Sequence, residues 1–187
     1  MDKKNFLRKK YLFLRKKNYF NIEKNFFNPL VKIIQKSNFN KKINIGIYYP
    51  NFYELNILKI LDIDYFKKFK ICLPIINEKN LMNFYEWKDK DVLILNKYGI
   101  PEPFKSKITI PSVLLIPLLA FDKNKNRLGY GKGFYDRYLY KTKKKNKKIL
   151  SVGIAFSFQK HNKLPFNKSD YQLDFIITEK GLIQWKL

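Results

Sequence analysis

Five consecutive residues, Val113-Leu-Leu-Ile-Pro117, are apolar at every position. A strand with one wet face alternates, so a run with no polar position reads as a strand covered on both faces, as in a parallel sheet between helical layers. Further extended candidates surround it. Lys42-Ile-Asn-Ile-Gly-Ile-Tyr-Tyr49 alternates and is β-branched up to Pro50. Lys70–Pro74, Phe84–Trp87, Ile149–Ala155 and Asp174–Thr178 have similar character. Helical patterns cover 3–36, interrupted or restarted at Asn28-Pro29, then Glu54–Leu61, and a stretch from near Gly133 to Tyr140. Strands alternating with helices over 187 residues predict a single-domain α/β layered fold, with a mostly parallel central sheet flanked by helices. The N-terminal helical segment, about 3–36, is expected to pack on that core.

An apolar share of 45% with 17% aromatics is too high for a disordered chain. The single cysteine, Cys72, cannot form an intramolecular disulfide, and with one histidine, His161, a Cys/His zinc site is not expected either. Both are read as structural. No uncharged run approaches the roughly 18 apolar residues of a membrane span, and the basic N-terminus has no apolar signal core. A cytoplasmic protein with no membrane partner is expected.

Charge is the unusual feature: 39 Lys+Arg against 15 Asp+Glu, formally +24. Such an excess points toward polyanions, and Lys interleaved with Tyr and Phe leaves a nucleic-acid-binding module as an alternative. Yet only Arg8, Arg15, Arg127 and Arg137 are arginines, and alanine occurs twice. That is drift toward lysine on solvated positions, so nucleic acid is not expected as a partner. The Lys-rich run at 141–148 reads as a solvated connector. Where arginine persists against such drift, a planar fork that lysine cannot replace is indicated.

Glycine is scarce, seven in all, yet three fall within Arg127-Leu-Gly129-Tyr-Gly131-Lys-Gly133-Phe-Tyr-Asp136-Arg137. This string follows the buried strand and precedes a helix, the place where open α/β sheets bind ligands. Closely spaced glycines let backbone N–H groups approach an anion, and the helix N-terminus adds partial positive charge. Arg127, Lys132 and Arg137 add fixed charge, and Asp136 puts a carboxylate one turn into the helix, suited to a magnesium ion beside phosphates. The string is neither a Walker loop, which needs Ser or Thr at Gly133, nor the dinucleotide fingerprint, which needs Gly at Phe134. A nucleoside triphosphate is the simplest ligand.

The longer string, Pro117-Leu-Leu-Ala-Phe-Asp122 followed by Arg127-Leu-Gly-Tyr-Gly-Lys-Gly-Phe-Tyr-Asp-Arg137, closely resembles the signature of the 5-formyltetrahydrofolate cyclo-ligase family. Three weaker regions agree: Lys4-Asn-Phe-Leu-Arg8, Tyr48-Tyr-Pro50 with Glu54, and Leu164-Pro165 with Asp170 and Asp174. The resemblance implies a NagB/RpiA/CoA-transferase-like fold, expected to be a monomer. It also implies ATP- and Mg²⁺-dependent cyclisation of 5-formyltetrahydrofolate to 5,10-methenyltetrahydrofolate with release of ADP and phosphate. The formyl oxygen would be phosphorylated and N10 would close the ring, with no side chain as covalent nucleophile. An ATP-binding relative without this activity is the other reading, since fold does not fix function.

By the same resemblance, ATP is expected against Lys4, Asn5, Phe6, Leu7 and Arg8 and against Arg127, Leu128, Gly129, Tyr130, Gly131, Lys132, Gly133, Phe134 and Tyr135. The folate is expected against Tyr49, Glu54 and the stretch Tyr130, Gly131, Lys132, Gly133 and Phe134. Asp136 and Asp170 are the expected Mg²⁺ ligands. The sequence departs from the family pattern in three places. The turn Lys123-Asn-Lys-Asn126 lacks the usual glycine, Tyr53 and Asn56 replace a common Gly and Asp, and 77–110 matches little beyond Gly99-Ile-Pro-Glu-Pro103. The first two departures lie in turns, where asparagine is tolerated.

Overall fold

A computed structural model of the chain describes residues 2–37, 39, 43–145 and 148–183. Its strands in chain order are β1 (Asn44–Gly46), β2 (Lys70–Ile76), β3 (Met82–Trp87), β4 (Leu93–Leu95), β5 (Pro101–Pro103), β6 (Val113–Pro117), β7 (Ala120–Phe121), β8 (Arg127–Leu128), β9 (Leu150–Ile154), β10 (Phe175–Thr178) and β11 (Gly181–Leu182). The helices are α1 (Lys3–Lys17), α2 (Asn28–Lys36), α3 (Asp64–Lys67) and α4 (Phe134–Lys144).

The all-apolar run is the centre of the molecule. β6 lies between β1 and β9 in a seven-stranded sheet of order β11-β10-β9-β6-β1-β2-β3. The five strands from β10 to β2 are parallel, while β3 and β11 run antiparallel at the two edges. Side chains alternate between two cores, Val113 and Leu115 on one face and Leu114 and Ile116 on the other. The first core takes Leu30, Ile33 and Ile34 of α2, and the second takes Tyr138 and Leu139 of α4. Both faces are therefore covered, which is why β6 has no polar position.

Helix α1 packs elsewhere. Its Leu7 and Tyr11 join Leu119, Ala120 and Leu128 of the β7–β8 hairpin in a third, smaller core. The predicted helical stretch 3–36 breaks at Asn18–Glu23, and Asn28-Pro29 opens α2, where a proline at the first turn loses no intrahelical bond. β1 is shorter than the predicted strand; it ends at Gly46, and Lys42 lies outside the described residues. The predicted helix at Glu54–Leu61 is a 3-10 turn over Ile57–Asp62. Helix α4 runs through Lys144, so half of the 141–148 run is helical rather than connector, with Lys141, Lys143 and Lys144 complementing the dipole of its last turn. Asn146 and Lys147 of that run lie outside the described residues. Among the described residues no helix is long and apolar enough to cross a membrane.

In chain order the five parallel strands are β1, β2, β6, β9 and β10, yet in space they run β2-β1-β6-β9-β10. The winding reverses between β1 and β6, and the crevice beyond their carboxyl ends is where such sheets bind ligands. The loop after β1 and the hairpin after β6 both open there.

Candidate active site

A cavity of about 580 Å³ occupies this crevice. β1 delivers Tyr48 and Tyr49 to it, β2 ends at its edge with Pro74 and Ile76, and β6 ends on it at Pro117. The glycine turn forms its floor, since every residue from Arg127 to Arg137 lines it. Gly131 (φ 96°) and Gly133 (φ 65°) hold left-handed backbone that side-chain-bearing residues rarely adopt. Gly133 is also the N-cap of α4, and the first intrahelical bond runs from Arg137 N–H to its carbonyl at 3.1 Å. The N–H groups ahead of Arg137 have no helical acceptor and are available to a bound anion.

The four arginines converge on this turn. Arg8 Nε donates to the Gly129 carbonyl at 3.0 Å, and Arg137 Nη1 to that of Lys132 at 2.8 Å. Arg127 donates to Asp136 Oδ1 at 2.6 Å and to the Tyr171 carbonyl at 2.8 Å. Arg15, buried behind the turn, donates from one nitrogen to the Tyr130 hydroxyl and the Phe52 carbonyl, both at 2.6 Å. Retention of arginine in a lysine-rich chain was thus a usable signal. It marks guanidiniums that hold carbonyls or a carboxylate in fixed directions.

Lys4 reaches the cavity from α1 and donates to Asp170 Oδ2 at 2.6 Å, while the Asn167 N–H donates to the same oxygen at 2.7 Å. Asp136 Oδ1 also accepts the Tyr171 N–H at 2.9 Å. Asp136 and Asp170 both line the cavity, and each keeps one oxygen, Oδ2 and Oδ1 respectively, unengaged by any donor among the described residues. Buried Asp122 holds the hairpin and this segment together, accepting from Asn124 N–H (2.9 Å), Asn126 N–H (3.2 Å) and Leu164 N–H (3.0 Å). Lys125 (φ 62°), between Asn124 and Asn126, takes the left-handed position of that hairpin.

Opposite the glycine turn stands Glu54, 7% exposed. Its Oε1 accepts from Tyr130 Oη at 2.5 Å and its Oε2 from Asn51 N–H at 2.9 Å. Burial pushes this carboxyl above the usual glutamate range, opposed by the Tyr130 bond, the Arg15 charge and the Asn51 bond. Burial, with the neighbouring Glu54 charge, also drives the phenols of Tyr130 and Tyr135 well above normal. Cys72 lies buried in the core with its thiol pushed up to about 12, and His161 contacts Tyr11 at 3.0 Å.

Not every expected residue reaches the cavity. Phe6 is 57% exposed and away from the wall, Leu7 is buried under the hairpin, and Asn5 only steadies Arg8 through a 2.5 Å bond. Helical geometry explains this, because only Lys4 and Arg8, four apart, share the face turned to the cavity. Conversely, Asn96, Tyr98, Ile100 and Pro101 form a wall from the segment that matched the family pattern only at Gly99-Ile-Pro-Glu-Pro103. The Tyr98 ring centre lies 6.3 Å from that of Phe134. No local pattern marked Asn96 or Tyr98.

A glycine turn at a helix N-terminus, ringed by cations and facing two carboxylates at the sheet's switch point, defines an α/β protein suited to a phosphate-bearing ligand. A sequence profile of the 5-formyltetrahydrofolate cyclo-ligase family matches residues 2–179. The chain belongs to that family. It is 36% identical over 135 residues to a 5-formyltetrahydrofolate cyclo-ligase of Mycoplasma genitalium, covering 72% of this chain and 71% of that one. The Haemophilus influenzae enzyme of the same name is 31% identical, with 72% and 75% covered. Among solved structures, a 5,10-methenyltetrahydrofolate synthetase from Aquifex aeolicus superposes with a TM-score of 0.75 at 28% identity, covering 98% of this chain and 93% of that one. Another from Mycoplasma pneumoniae gives 0.64 at 25% identity, with 96% and 99% covered.

Proposed function

We propose that the whole chain acts as one cyclo-ligase domain, closing 5-formyltetrahydrofolate to 5,10-methenyltetrahydrofolate with ATP, Mg²⁺ and release of ADP and phosphate. One observation carries the reading: a single glycine turn bonds Glu54 at one end, through Tyr130, and presents Asp136 one helical turn past the other. Folate held at Glu54 and phosphates held at Gly129–Gly133 would meet over the same five residues.

Two bonds between heavy atoms form and two break, and the N10 proton passes to phosphate or solvent. The formyl oxygen attacks the γ-phosphoryl and ADP leaves; N10 then attacks the formyl carbon, loses its proton, and phosphate departs with that oxygen. Such transfer asks the protein mainly for positioning and charge neutralisation. The N–H groups of the turn, Lys4, Arg8 and Arg127 supply these. The buried carboxylate of Glu54 accepts N–H bonds from the folate ring, and Tyr49 lines the same wall. Asp136 and Asp170 would hold Mg²⁺ through their unengaged oxygens, since this ion commonly takes one or two carboxylates with phosphates and water. When bound, it offsets phosphate charge.

The test is the appearance of methenyl absorbance from 5-formyltetrahydrofolate, with ATP and Mg²⁺ each withheld in turn. Product without ATP, or none with the full mixture, would overturn the reading.

Gly131→Ala probes the turn. A Cβ there would lie 3.1 Å from the Arg8 guanidinium carbon, on a backbone with φ 96°. We expect ATP affinity to fall about tenfold or more as Arg8 is displaced. The left-handed backbone should add about 1–2 kcal/mol of destabilisation, lowering Tm by about 2–8 °C. Parallel titration and melting separate the two effects; a lower Tm with unchanged ATP affinity would leave the glycine a purely conformational role.

A further inference from the structure

Helix α1 buries a stripe at i, i+4 and i+8, namely Leu7, Tyr11 and Arg15. The stripe ends in a cation that is 1% exposed and forms no ion pair among the described residues. Burying a charge costs several kcal/mol unless its surroundings compensate. Compensation here comes from the 2.6 Å bonds to the Phe52 carbonyl and the Tyr130 hydroxyl, with the guanidinium 5.5 Å from the Tyr130 ring centre. Arg15 Nε has no hydrogen-bond partner among the described residues. A lysine would bring a compact, strongly hydrated ammonium without the guanidinium's planar fork.

Both groups that Arg15 holds belong to loops of the cavity. Phe52 (φ 48°) and Tyr53 (φ 60°) are consecutive bulky residues in left-handed backbone, closed by Glu54 N–H donating to the Asn51 carbonyl at 2.9 Å. Such a turn favours glycine or asparagine and persists only where its surroundings over-determine it. Arg15 supplies one such restraint. Tyr130 in turn bonds Glu54, so α1, the loop after β1 and the glycine turn meet at one guanidinium.

We propose that Arg15 is a positioning residue that orients Glu54 for the folate through Tyr130 and Phe52, and so ties the folate loop to the glycine turn. It does not line the cavity wall. The inference rests on the assignment of Glu54 to the folate.

The test measures 5-formyltetrahydrofolate affinity by calorimetry, without ATP, for wild type, Arg15→Lys, Glu54→Gln, their double variant and Tyr130→Phe. If Arg15 acts through Glu54, Arg15→Lys weakens binding about tenfold alone but less than twofold in the Glu54→Gln background, the non-additivity of residues in one network. Tyr130→Phe removes only a hydroxyl from a ring 37% exposed, so the fold survives, and it should reproduce about the same loss. Around Glu54 stand Arg15 from α1, Tyr130 from the glycine turn, Tyr48 from the loop after β1 and Tyr135 from α4. Removing the Arg15 charge with Arg15→Gln should therefore move the acid limb of folate affinity to higher pH. Equal factors in both backgrounds, an unaffected Tyr130→Phe, or an unmoved acid limb would each overturn the proposal. Wild type that fails to bind 5-formyltetrahydrofolate removes the folate reading as well; wild-type binding with Arg15→Lys unchanged removes this inference alone.

Discussion

Asp136→Asn should lower metal-dependent turnover by about two to three orders of magnitude, the cost of losing a charge contact that acts in the transition state. The substitution is informative because the local hydrogen bonds should persist. An amide oxygen can still accept the Tyr171 N–H at 2.9 Å and the Arg127 bond at 2.6 Å, so the first turn of α4 keeps its anchors. What goes is the negative charge, and an amide nitrogen, which does not ligate Mg²⁺, replaces the unengaged oxygen. Arg127, whose side chain is 5% exposed, loses its charged partner. A destabilisation of about 1–2 kcal/mol follows, or about 2–8 °C in Tm. Folate binding without ATP should be nearly unchanged. Turnover measured against Mg²⁺ concentration checks this, and a variant within tenfold of wild type would remove Asp136 from the metal site.

Glu54→Gln should have the opposite signature. A buried carboxylate accepts N–H bonds about twice as strongly as a neutral oxygen. Its loss is expected to weaken folate binding by about 10–100-fold, equivalent to about 1.4–2.8 kcal/mol, with ATP affinity nearly intact. Stability should move the other way. Burial raises the Glu54 pKa in the folded protein, so the fold favours its protonated form, and the stability this lends is full at low pH and lost as pH rises through the folded value. At neutral pH the neutral glutamine relieves that loss, and Tm should rise slightly. Calorimetric titration of each ligand with melting curves at pH 5 and 8 decides the matter. If Glu54→Gln loses ATP rather than folate affinity, the division of the cavity is wrong.

The layered fold was legible because it is written in short-range pattern. The apolar run at 113–117 could be satisfied only by two covered faces, and the glycine string required a turn at a helix start. The cavity's floor followed from that string directly. Its remote walls did not follow. Tyr98 packs near Phe134 across 36 positions of chain, and nothing in 77–110 announced it. Phe6 and Leu7, read as part of a contiguous motif, are turned away from the cavity by the helix that carries them.

Arg15 shows where the division falls. The sequence alone determined that four arginines persist among many lysines, hence that four planar forks were needed, and that one lies on a helix with Leu7 and Tyr11 at four-residue spacing. Only the tertiary structure decided what that fork grips, since its acceptors lie 37 and 115 positions away in the chain. Spacing records the conformation of neighbouring residues, because backbone sterics and local hydrogen bonds act over a few positions. Distant partners are chosen by how whole layers pack, and a guanidinium sealed between them takes the acceptors that packing leaves.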